Sequence, residues 1–154
     1  HPLIAAVDGD GKILTSIERI QHLFKNGYQI EALTAQMQLV EALCLHYLVA
    51  RRNIDNQEFD QDIAKLMQKR QLTMGRVKNL LIRNNAFHDP ALEPVLEEYV
   101  EMRNELSHKL FSRILVVDLE RCFALGMQLT ISIQNYMQRV IEKYKKVQDK
   151  THIR

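Results

Sequence analysis

With 154 residues, 46% of them hydrophobic and 26% charged, the chain is long enough for one domain whose core needs no covalent staple. Two cysteines exclude a disulfide scaffold, and no apolar run approaches the roughly 20 residues of a membrane-spanning helix. A net charge of +2 and a pI near 8.6 permit nucleic-acid binding without requiring it.

Five glycines and three prolines leave few breaks in a sequence rich in Leu, Ile, Gln, Glu, Lys and Arg. That composition argues for an all-α fold, an up-and-down helical bundle. Three parts are expected: an N-terminal arm and short helix over 1–26, the bundle over 27–147 and a basic tail over 148–154. Cys44 and Cys122 fall on predicted apolar faces and read as small buried hydrophobes in a reducing, cytoplasmic compartment. No signal peptide is visible, and a start at His1 is expected of a trimmed chain or a piece of a longer one.

At the N-terminus, Leu3-Ile4-Ala5-Ala6-Val7 and Ile13-Leu14 flank Asp8-Gly9-Asp10-Gly11, which suggests a small hairpin or extended arm. A calcium-loop alignment on Gly11 fails, because Ala6 and Ile17 fall where the first ligand and the bidentate Glu belong. Ser16 is expected to cap a short helix from Ile17 to Lys25, with Ile17, Ile20, Leu23 and Phe24 inward, and Asn26-Gly27 to stop it. A long helix follows, about 28–52. Its seam of Ile30, Leu33, Met37, Val40, Cys44 and Tyr47 advances by threes and fours. His46 lies beside that seam, within possible reach of the later motif.

Residues 57–70 read as a looser helix, with Phe59, Ile63, Leu66 and Met67 on one face. Thr73 caps a helix from Met74 to about Asn84, with Val77, Leu80 and Leu81 inward. Arg70, Arg76, Lys78 and Arg83 make this region basic, a surface suited to phosphate or simply solvated. Asp89-Pro90 opens the next helix, which reaches about Phe111. Residues 111–117 continue it or form an extended link. Asp118 caps a last helix to about Val147, in which Gly126 lets a neighbour approach closely. The six histidines and two cysteines show no zinc-ligand spacing, and no glycine-rich phosphate loop is present, so no cofactor is expected.

The helix from Asp89 carries the most informative residues. Leu92, Val95, Leu96, Tyr99, Leu106 and Leu110 form one apolar stripe, and Glu97, Glu101, Asn104 and His108 a polar one. Arg103 falls at the edge of the apolar face, where a guanidinium must snorkel, find a partner or serve a task. Five residues turn an ideal helix by about 140° net, at about 100° each, so Arg103 and His108 do not stack. A second copy related by a two-fold axis would bring two such pairs together.

Arg103, Asn104 and His108 form an R-x4-H pattern that resembles the HEPN superfamily of small all-helical domains, and the helix order over about 27–147 is similar. The resemblance implies a metal-independent endoribonuclease of toxin or defence type, acting as a homodimer on RNA. His108 would move protons, Arg103 hold the scissile phosphate and Asn104 orient one of them. An imidazole can take and give a proton in turn and a guanidinium is a fixed fork of donors, which suits that chemistry. It also implies a protein antitoxin or regulatory partner. The tyrosine that one subgroup carries two residues after the motif histidine is replaced by Leu110, so control through that group is not expected. Some members of the superfamily are non-catalytic, and the alternative is a helical interaction or regulatory domain that dimerises or binds nucleic acid or a partner protein.

Overall fold

The structure is a computed structural model and describes residues 15–109 and 118–152. Six helices account for its regular structure: α1 (Ser16–Lys25), α2 (Gln29–Asn53), α3 (Ile63–Gln68), α4 (Met74–Arg83), α5 (Leu92–Lys109) and α6 (Leu119–His152). No strand occurs among the described residues, and the fold is an all-α helical bundle. The arm expected over 1–14 and the link expected over 111–117 lie outside the described residues, as does Leu110.

α2 and α6 form the central pair. α1 packs on α2, α5 on α6, and α4 bridges α2 and α5. The core takes in most of the seam expected on α2, with Ile30 and Met37 only partly buried, and on α6 it ends before Tyr144 and Val147, which are exposed. Leu33, Val40, Cys44 and Tyr47 of α2 are buried with Leu129, Ile133, Tyr136 and Val140 of α6, and Val77, Leu80 and Leu81 of α4 join them. Both cysteines are free and buried. Burial pushes the Cys44 thiol up to about 12 and that of Cys122 to about 11, in keeping with cysteines that pack as small hydrophobes.

The helix ends explain where sequence and structure differ. α1 is capped by Thr15 rather than Ser16: the Thr15 hydroxyl accepts from the Glu18 N–H and donates to the Glu18 carboxylate. Three residues separate the two, the spacing of a capping box, and that spacing decides between adjacent hydroxyls. α3 is much shorter than the helix expected over 57–70. Asp62 caps it, and Asp60 is engaged outside it, accepting from the Asn84 amide and pairing with Arg83 at 3.0 Å. Such local side-chain bonds offer the backbone an alternative to helix. α6 continues past Val147 to His152, with residues 141–150 exposed.

A polar side chain sits inside the core between three helices. Gln36 is fully buried; its amide donates to the Phe123 carbonyl at 2.9 Å and accepts from the Tyr99 hydroxyl at 3.0 Å. A Cβ at Gly126 would overlap that amide, so the glycine expected to admit a close neighbour does so for Gln36. Three helices, α2, α5 and α6, meet there.

Candidate functional site

α5 presents the two faces its sequence predicts. Asp89 precedes it in a turn, where its carboxylate accepts from the Ala91 N–H at 3.0 Å. Pro94 lies in the first turn, where no intrahelical N–H is needed. Leu92, Leu96, Tyr99 and Leu106 are buried, while Glu97, Glu101, Asn104 and His108 are exposed.

The three motif residues divide between two depressions. Asn104 and His108 line one of about 510 Å³, together with Lys78 of α4 and Glu97, Glu101 and Glu105 of α5 itself. Arg103 lines another, of about 210 Å³, on the α2 side with Met37, Glu41 and Leu106. Its guanidinium stands 3.8 Å from the Glu41 carboxylate, and its side chain is 32% exposed. Arg103 has therefore found both answers foreseen for an edge cation, a partner and a path to solvent. Within one chain the fold brings Asn104 and His108 together and turns Arg103 away, as the angular offset requires.

His46 does not approach the motif. It lines a depression of about 650 Å³ between α2, α3 and α6, with Leu45, Val49, Met67 and Tyr144. Among the described residues no group of three or more His, Cys, Asp or Glu side chains could hold a metal ion, and no helix is long and apolar enough to cross a membrane.

A second constellation was not foreseen. The loop between α4 and α5 lays His88 against α2 and α6. The Tyr47 hydroxyl donates to the Ala86 carbonyl at 2.6 Å, and His88 Nδ1 lies 2.8 Å from the same hydroxyl. Because the carbonyl can only accept, the hydroxyl hydrogen lies there, and Nδ1 becomes the donor to Tyr47. The His88 ring lies 5.0 Å from that of Tyr136. Arg51 donates to Ala86 O at 2.9 Å and to Asp55 at 2.6 Å, and Lys143 reaches Asp55 at 3.3 Å. Burial, with Arg51, Arg139 and Lys143 nearby, holds the His88 pKa below its usual value. The signal for this cluster was slight: a tyrosine in an apolar seam whose hydroxyl needs a partner, and a histidine in a short loop.

Compared with family models, curated proteins and solved structures, the chain matches none. The likeness to the HEPN superfamily thus rests on Arg103, Asn104, His108 and the order of the helices.

Proposed function

We propose that the chain is a HEPN-type domain that cuts RNA as a homodimer, without a metal, in a toxin or defence role. The observation that supports this reading is the division of the motif: Asn104 and His108 open to solvent on one side of α5, Arg103 on the other. Such a site is incomplete in one chain, and a two-fold partner supplies the missing half. His108 takes the proton of the RNA 2′-hydroxyl as its oxygen bonds to the adjacent phosphorus. Arg103 of the partner subunit steadies the charge on the phosphorane, and the second His108 protonates the departing 5′-oxygen. Asn104, one residue after the arginine, orients the imidazole or the phosphate.

A second reading has its own support. Glu97, Glu101 and Glu105 surround His108, and three carboxylates disfavour a polyanion while favouring a cationic protein segment. On that reading the domain is a non-catalytic interaction or regulatory module.

One experiment separates them. Wild-type protein with excess chelator is expected to cut single-stranded RNA, and His108→Ala to lose roughly 100-fold or more in rate. His108 is exposed, so the variant should melt with the wild type. Equal cutting by both, or a strict monomer by light scattering at high concentration, sinks the ribonuclease reading.

A further inference from the structure

The charges of this chain are segregated. From Ile63 to His88 there is no Asp or Glu, while Lys65, Lys69, Arg70, Arg76, Lys78 and Arg83 fall within the same stretch. It carries +6 in a chain whose total is +2, so the remainder is net −4. The structure folds this stretch into an elbow, α3 followed by α4, with the cations on its surface. Of the six, Arg83 is paired with Asp60. Among the described residues no ion pair holds Lys65, Lys69, Arg70 or Arg76. Lys65, Lys69 and Arg76 line a depression of about 340 Å³, with Gln61 and Gln71 as further hydrogen-bonding groups and Asp62 at its edge. The Asp62 carboxylate is turned to its own helix, accepting from the Lys65 N–H at 3.2 Å.

We infer that the α3–α4 elbow is a binding surface for the phosphate backbone of single-stranded RNA. Four unpaired cations on one exposed corner hold a local counter-ion atmosphere that a polyanion can replace. Lysines and arginines spread over two short helices and the turn between them, where Lys69 and Arg70 lie, match a flexible string of phosphates better than one small anion. Placement supports the same partner. α4 packs on α5, and Lys78, on the far side of α4 from Arg76, lines the depression that holds His108. The elbow thus supplies attraction to RNA that the carboxylate-rich surroundings of His108 do not. This inference concerns binding. It rests on the proposed function only for its choice of RNA, and cutting is not needed for it.

The test is fluorescence anisotropy of the full chain with a labelled single-stranded oligoribonucleotide across a salt series. Lys65→Gln/Lys69→Gln/Arg70→Gln/Arg76→Gln is expected to weaken binding at least about tenfold and to flatten the log–log salt slope by about 3, at about 0.7 per cation. All four residues are exposed, and circular dichroism verifies folding. Lys145→Gln/Lys146→Gln/Lys150→Gln on α6, all exposed, is the control and should keep the wild-type slope. Binding unchanged in the elbow variant, or lost in the α6 variant instead, overturns the surface. So does wild-type protein that binds vesicles of anionic lipid but not the oligonucleotide. Elbow-dependent binding without any cutting by the wild type keeps the surface and removes the ribonuclease reading.

Discussion

His88 ties three parts of the chain through one imidazole: its own loop, Tyr47 of α2 and Tyr136 of α6. Burial and the charges of Arg51, Arg139 and Lys143 lower its pKa from 6.5, against the opposing pull of Asp55. The unfolded chain takes up that proton as the pH falls through about 6.5, whereas the folded chain resists. Stability from this group is therefore complete above that pH and is lost below it, down to the folded pKa. Urea unfolding at pH 7.5 and 5.5 is expected to show the wild type weaker at the lower pH, and His88→Gln to show a smaller drop. An identical drop in both would assign the effect to other groups. Asp55 acts in a separate, lower window. Burial pushes its carboxyl up, but hydrogen bonds from Arg51 and Lys143 outweigh that, and its pKa is lowered from 3.8. Its contribution is present above that value and lost as the pH falls further. The His88 contacts were not legible in the sequence, because they join the Tyr47 hydroxyl to a carbonyl 39 positions away and an imidazole 41 positions away. The polar stripe of α5 was legible, because it needs only the period of one helix.

Three helices end in the same way, and the difference in their residues decides what could be read. After α1, Tyr28 N–H reaches Leu23 O at 2.9 Å and Gly27 N–H reaches Phe24 O at 3.2 Å. The same pair of bonds follows α3, through Gln71 and Arg70, and α4, through Ala86 and Asn85. In each the middle residue is left-handed: Gly27 at φ +90, Arg70 at +53 and Asn85 at +52. Gly and Asn favour that conformation and mark a stop in the sequence; Arg does not. The end of α3 was accordingly set only near residue 70, and its start, hidden by Asp60 and Asp62, was missed by several residues. Arg70→Gly is expected to stabilise by up to about 1 kcal/mol, raising the melting temperature by about 2–4 °C. Gly27→Ala should cost about 1 kcal/mol, although nothing lies within 4 Å of the added methyl, because the strain is in the backbone. A calorimetric scan of both variants decides it; a lower melting temperature for Arg70→Gly would mean that the arginine side chain contributes more than its strained backbone costs.

At the scale of the whole molecule, Gln36 is where the motif helix is joined to the central pair. Its amide accepts from Tyr99, four residues before Arg103, and donates to the backbone of α6 at Phe123. Thr130, also fully buried, donates to the Gly126 carbonyl at 2.8 Å, so the crossing is fully hydrogen-bonded. No buried side-chain nitrogen or oxygen among the described residues lacks a partner. The close approach itself was readable from Gly126; that a glutamine would fill it was not, since the α2 seam was traced through its apolar members alone. Gly126→Ala forces its methyl onto the Gln36 amide, which cannot swing aside without abandoning both bonds, and should cost about 2–4 kcal/mol. Gln36→Ala leaves the Tyr99 hydroxyl unpaired beside a cavity and should cost about 2–3 kcal/mol. The two losses share one cause and should not add. With the amide gone the alanine methyl has room, so Gly126→Ala/Gln36→Ala is expected to be about 1–3 kcal/mol more stable than the sum of the single variants predicts. Urea unfolding of the four proteins closes the cycle. Additive losses would mean that α2 and α6 do not press together at this point, and that α5 with its motif is positioned by some other contact.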